Sequence, residues 1–368
     1  MNRIKSSLTV LGLSFLLLLI GAPKPSAQDE SSRLRVDVNL VQLNIAVTDS
    51  HGRYISGLKP ENFRITEDKI PEKIASFEEG NGTGPHYRFD DSSPSPAAAA
   101  MPSEPAAQLA SATHPNPGNP VQAPGYAQDS PNPGANIFIL FDTSNYMYRG
   151  FVYAQDAIAD FVRSLDNSNK IAFYSYSRNL SRATLLTSDR YRVVDGVRST
   201  VAGDDAALYN SLLLTVKDAS RLTGRKAIVV FSNGPDNASS VPPEDVAELA
   251  QSTGTIIYIV STRQAENAPI SAAAFERVSR STGGKAYFAH DWREETQAFA
   301  AIRKDISHLY TISYYPRPNS NPGWRNVSVK LIGPGLQKYR VRTRDGYRLH
   351  QVEANTTASN ADPPPAGH

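Results

Sequence analysis

NIFILFDTSNYM, Asn136 to Met147, is the stretch that decides the fold. Ile137 to Phe141 form an unbroken apolar run. A strand covered on both faces reads this way, whereas a half-exposed strand alternates. Asp142 ends the run, and Thr143, Ser144 and Asn145 follow it. Open α/β sheets carry ligand-binding groups in the loops at the carboxyl ends of their strands. The stretch therefore predicts a central parallel strand with an oxygen-rich loop at its functional end.

The pattern repeats downstream. Ile158, Phe161, Val162 and Leu165 share one helical face. KIAFYSYS (170–177) reads as a strand and RATLLTSD as a shorter edge strand. Leu208, Leu212, Val216 and Leu222 mark a helix stopped by Gly224. AIVVFS (227–232) and TIIYIVST (255–262) are two further buried strands. Between them, PPEDVAELAQSTG (242–254) begins with Pro and ends with Gly, as helices prefer. A helix around 271–281, a short strand KAYFA (285–289) and a long helix over 293–308 complete the series. Strand–helix alternation of this kind predicts a Rossmann-like, doubly wound, mostly parallel sheet over 135–308.

The flanks read differently. In LRVDVNLVQLNIAVT (34–48), apolar residues alternate and then change phase near Leu40–Val41, which predicts a bulge or strand switch. Phe63, Ile65, Ile70, Ile74 and Phe77 are the expected core of 31–80. Val327, Val329 and Leu331, then Tyr339, Val341 and Thr343, alternate in 309–350. Neither segment buries enough surface alone. They are expected to pair into one small β-sandwich, with the α/β domain inserted between them. Residues 81–134 are rich in Pro, Ala, Ser and Gly and are expected to be a disordered insert, and 351–368 a disordered tail.

Residues 1–27 have the form of a secretory signal: Arg3 and Lys5, an apolar run from Leu8 to Ile20, then small residues up to Ala27. The expected mature protein is exported to the periplasm, cell surface or medium, with no membrane span after cleavage. The chain has no Cys, which excludes disulfides, thiolate nucleophiles and Cys-ligated zinc. With 38 Lys and Arg against 36 Asp and Glu, it lacks the basic bias of a nucleic-acid partner.

With these elements placed, three segments carry a resemblance. FDTSNYM resembles the D-x-S-x-S loop of von Willebrand factor type A domains. GDDAALYNSL (203–212) is similar to that family's second loop, and VVFSNGPDN (229–237) to its fourth strand and D-G turn. VNLVQLNIAVTDSHGRYISGLKPENFRITED and WRNVSVKL with YRVRTRDGY resemble the ends of an exported, acidobacterial-type group of such proteins. The resemblance implies a Rossmann-like fold and a metal-ion-dependent adhesion site, in which Mg²⁺ takes an Asp and two hydroxyls from one loop, a Thr from a second and an Asp from a third. Asp142 and Ser144 match that set. Tyr146, Ala206 and Asn233 replace the second hydroxyl, the Thr and the second Asp. A hard cation tolerates few lost oxygen ligands. The expected function is thus a non-enzymatic protein-interaction module with a degenerate adhesion site, needing no cofactor. It would bind an unknown protein through Tyr146, Tyr148, Asp204 and Asp236. The alternative is a Mg²⁺- or Ca²⁺-dependent module using Asp142, Ser144, Asn233 and a shifted aspartate, Asp204, Asp205 or Asp236.

No catalytic constellation emerges. The 7 His form no metal-binding pair, and His290 reads as a solvated loop residue. Ser232 follows a strand but lacks the G-x-S-x-G elbow. Asp142, Ser144 and Asn145 could also cap the next helix. Arg340, Arg342 and Arg344 share one strand face, which reads as a solvated outer face.

Overall fold

The computed structural model describes residues 40–80, 87–88, 134–148, 150–262 and 268–349. The expectations for the signal segment, the tail and most of 81–134 lie outside these residues, as does the part of 34–48 before Leu40.

The first segment supplies β1 (Val41–Thr48), β2 (Phe63–Glu67), β3 (Ile70–Glu72), β4 (Ile74–Glu79) and the two-residue β5 (Tyr87–Arg88). The middle of the chain runs β6 (Asn136–Asp142), α1 (Phe151–Ser164), β7 (Lys170–Tyr176), β8 (Leu180–Thr187), α2 (Arg190–Arg198), α3 (Leu208–Ser220) and β9 (Lys226–Ser232). It continues with α4 (Pro243–Ser252), β10 (Thr255–Thr262), α5 (Pro269–Ser281), β11 (Ala286–Ala289) and α6 (Trp292–His308). The last segment gives β12 (Tyr310–Tyr314), β13 (Trp324–Leu331), β14 (Arg340–Arg342) and β15 (Gly346–Arg348).

The middle strands form a six-stranded sheet in the order β11-β10-β9-β6-β7-β8. Only the edge strand β8 runs antiparallel. β6 pairs in parallel with β7 and β9, and this central position is why its sequence is apolar throughout. Ile137, Ile139 and Phe141 pack with α1, α2 and α6. Phe138 and Leu140 pack on the other face with α3, α4 and α5. Each such buried side chain contributes about 1.5–3 kcal/mol relative to exposure.

The two flanks do combine. β12 pairs with β1 on one side and β4 on the other, and β13 pairs with β2. Leu43, Ile45, Phe63, Ile65, Phe77, Ile312 and Val327 fill the space between the two antiparallel sheets, while Ile70 and Ile74 are half-buried. β1 changes partner along its length: Val41–Ile45 face β12 and Ala46–Thr48 face β14.

Three features depart from the sequence reading. Tyr87 and Arg88 extend β4 inside the segment expected to lack structure; the free edge of β4 accepts another strand. Arg190–Arg198 is a helix that the sequence reading passed over. Its start is capped by Asp189, which accepts from the Tyr191 and Arg192 N–H groups. The arginine face is not solvated throughout: Arg340 is exposed, but Arg344 is buried and Arg342 pairs with the buried Asp305. Beyond Arg340, that face lies against α6 and the start of the parallel sheet. Among the described residues, no helix is long and apolar enough to cross a membrane.

Candidate functional site at the carboxyl ends of the strands

Four neighbouring strands end in polar side chains at one level. The β6–β7 ladder sets Asp142 beside Tyr176. The β9–β10 ladder sets Ser232 beside Ser261. Phe141 pairs with Phe231, which brings the next residues, Asp142 and Ser232, together.

Asp142 is fully buried. Its Oδ1 accepts from the Ser144 N–H at 2.9 Å, and its Oδ2 from the Ser232 hydroxyl at 2.8 Å. Ser232 in turn accepts from the Tyr176 hydroxyl at 3.1 Å. Burial raises the Asp142 carboxyl above the usual range, and hydrogen bonds from Ser144, Ser232 and Tyr176 pull it back in part. Burial and then the Asp142 charge push the Tyr176 phenol well up.

The loop after β6 is laced to the loop before α3 by backbone. The Gly203 N–H donates to the Thr143 carbonyl at 2.7 Å, and the Asn145 N–H to the Asp204 carbonyl at 2.8 Å. Neither Ser144 nor Asn145 caps a helix with its side chain, contrary to the capping role open to them in the sequence; the Asp142 carboxylate takes the Ser144 N–H instead. Tyr146 lies over Gly234, where an added Cβ would stand 2.8 Å from the tyrosine Cγ. The Asn233 amide donates to the Tyr146 carbonyl at 3.2 Å. Tyr148 donates its hydroxyl to the Gly203 carbonyl at 3.1 Å and leaves its ring mostly exposed.

The three aspartates expected as shifted ligands are differently placed. Asp205 is held by Arg178 Nη2 at 2.6 Å. Asp236 accepts from the Tyr209 N–H at the start of α3 and from the Ser239 N–H of its own loop, at 2.9 and 2.8 Å. Asp204 is exposed. Ala206 is buried, and its N–H donates to Asn237 Oδ1 at 2.8 Å.

Tested against a Mg²⁺ octahedron, this donor set falls short. It offers one buried carboxylate whose two oxygens are both engaged, and neither Tyr146 nor Ala206 supplies a suitable oxygen. Two buried oxygens near it, Ser144 Oγ and Asn233 Oδ1, have no hydrogen-bond partner. Among the described residues, no group of three or more His, Cys, Asp or Glu could hold a metal.

Sequence reasoning treated Ser232 only as a failed nucleophile and did not single out Tyr176. Both complete the Asp142 network, and the signal for them was strand register. It also passed over Val152, Tyr153 and Val201, which are exposed on and beside the same loops. His290 sits after β11, its ring nitrogen 2.8 Å from Glu294.

Residues 136–301 match the family model of the von Willebrand factor type A domain. A search of characterised proteins returned no match. Among solved structures, the chain is similar to the conserved hypothetical protein BatB from Bacteroides thetaiotaomicron, at 16% identity and TM-score 0.40 over 47% of this chain and 98% of that one. It is also similar to the vWF domain of the type V pili tip protein Mfa5 from Porphyromonas gingivalis, at 10% identity and TM-score 0.42, covering 52% and 99%. A third is proximal thread matrix protein 1 from the mussel byssus, with a zinc-occupied MIDAS motif, at 15% identity and TM-score 0.40, covering 47% and 48%.

Proposed function

We propose that this chain, whose residues 136–301 match the von Willebrand factor type A domain model, a family whose members often mediate protein interactions and in some cases hold a metal, is an exported, non-enzymatic interaction module with a degenerate adhesion site. It binds a protein partner through the loops at the carboxyl ends of the parallel strands, and it does so without an essential cation.

The observation that carries this reading is the closure of Asp142: both carboxylate oxygens are taken within the fold. Asp205 and Asp236 are committed to Arg178 and to backbone N–H groups. Alongside the exposed Asp204, the outward face carries aromatic and aliphatic groups. Tyr148, Val152, Tyr153 and Val201 are exposed, and aromatic residues with polar tips are enriched at protein interfaces. Export rests on the N-terminal signal pattern alone.

The second reading, a cation-dependent module, is favoured by one observation: the unpartnered oxygens of Ser144 and Asn233. A cation there would take Asp142, Ser144 and Asn233, with water in the remaining positions. Calorimetric titration of Mg²⁺, Ca²⁺ and Mn²⁺ into the mature protein separates the two, with Asp142→Ala as control. Absence of heat with all three ions is the expected result. Heat that disappears in Asp142→Ala would replace the first reading by the second.

A further inference from the structure

At the other edge of the parallel sheet, where the strands begin, two buried cations make their hydrogen bonds only to backbone carbonyls and to no carboxylate. Arg344 follows β14 and is 4% exposed. Its guanidinium makes one hydrogen bond, from Nη2 to the Gln42 carbonyl of β1 at 3.0 Å. It also lies over the Tyr347 ring, 5.1 Å from the centroid. Its Nε and Nη1 are buried with no partner.

The surroundings hold further unsatisfied polar groups. The Gln42 amide nitrogen and the Thr343 hydroxyl are also buried and unpartnered. Lys226, the first residue of β9, is buried, and its ammonium donates once, to the Leu222 carbonyl at 3.3 Å. Lys226 pairs with Thr255, and a Cβ on the adjacent Gly254 would stand 3.3 Å from the same Gln42 carbonyl that accepts from Arg344, so the two cations stand at one end of the sheet. Burial, and after it the charge of Arg344, push the Lys226 pKa down to about 8.

The carboxylate acting on Arg344 is Glu67, and Glu67 is already spoken for. It accepts from Arg325 Nη1 at 2.6 Å and from the Tyr314 and Tyr347 hydroxyls at 2.8 Å each. Arg225, one residue before Lys226, makes a useful contrast. It too is buried without a hydrogen bond, but Asp166 and Glu78 both act on it. Unmade donors on a buried cation are costly and call for a partner.

We propose that Arg344, Lys226 and Gln42 form a binding site for a small oxyanion, a phosphate, sulfate or carboxylate, held between the sandwich and the parallel sheet. An oxyanion there receives charge-assisted hydrogen bonds from the guanidinium and ammonium and a neutral one from the amide. It joins β9 of one half of the molecule to β1 and the β14–β15 link of the other.

Thermal unfolding of the full chain, with inorganic phosphate, sulfate or acetate replacing chloride at constant ionic strength, tests this. The Tm should climb with the logarithm of the concentration of at least one oxyanion. Acetate alone being effective would identify a carboxylate ligand, and phosphate or sulfate alone a tetrahedral one. Arg344→Met and Lys226→Met should flatten the response, and Arg225→Met should keep it. Gln42→Leu, the mildest change, should require about tenfold more anion for the same shift. If the wild type responds to none of the anions, the proposal fails. It fails equally if every variant, Gln42→Leu included, rises alongside the wild type, because general exclusion of such salts from protein surfaces acts on all of them.

Discussion

Arg342 of β14 donates through Nη2 to the fully buried Asp305 of α6, 2.6 Å from Oδ1. Tyr54 and Tyr258 donate their hydroxyls to the same carboxylate at 2.7 and 2.8 Å, and Arg342 Nη1 also meets the Gly283 carbonyl. One carboxylate thus gathers groups from the β1–β2 loop, β10 and β14. Removing one member of a buried pair strands the other charge, at about 3–5 kcal/mol. Arg342→Met should lose about that much in denaturant unfolding. The double variant Arg342→Met/Asp305→Leu should recover a good part of it, because neither charge then remains.

Gly234 exists for Tyr146. An alanine Cβ would press against the tyrosine ring, so Gly234→Ala should cost about 1–3 kcal/mol. Tyr146→Ala in the same chain should relieve most of that cost. Equal losses for Gly234→Ala with and without Tyr146 would show that the ring is not what the glycine accommodates.

The proposal of a degenerate adhesion site can be tested by rebuilding it. Tyr146→Ser, Ala206→Thr and Asn233→Asp together restore the oxygen set that the family resemblance implies. The triple variant should show a Mg²⁺-dependent rise in Tm and calorimetric heat, and Asp142→Ala placed on it should abolish both. A triple variant that folds yet ignores Mg²⁺ would mean that the loops themselves, not only the ligand types, have moved out of register.

Glu295, in the first turn of α6, has its pKa pushed up to about 7 by burial and then by the charge of Asp291. A carboxyl whose pKa is raised on folding favours the protonated form. Its contribution is fully present below the ordinary glutamate value of 4.5 and is lost as pH rises towards about 7. Glu295→Gln should therefore match the wild type at about pH 4 and be more stable than it at about pH 8 by thermal unfolding. A constant difference across that range would place the carboxyl in solvent.

The parallel sheet was legible because its signals are local. Phe141 and its neighbours are apolar for the reason that strands flank them on both sides. α2 was missed because only Val193 and Val197 point inward and Gly196 sits between them as a nominal breaker. That glycine is needed: a Cβ there would meet Thr184 Oγ1 at 2.2 Å. Arg342 and Arg344 misled for a different reason. Alternation shows that two residues share a face, but not that α6 or β1 will cover it. Asp142 and Ser144 were visible in one loop, whereas Tyr176 and Ser232 joined them only through the register of three strands.

The sandwich is closed by the last strands of the chain. Asn44 of β1 meets Thr311 of β12 across 267 residues of sequence. The strand–helix repeats in between make mostly nearby contacts and can close early. β1 cannot, since both its ladder partners, β12 and β14, are made after α6. Maturation must therefore run from the middle outward, because long-range pairing waits on closing so large a loop. During that wait β1 is an apolar strand with two open edges, the state in which chains join the wrong neighbour. Whatever carries this protein through its synthesis has to shield β1 longest.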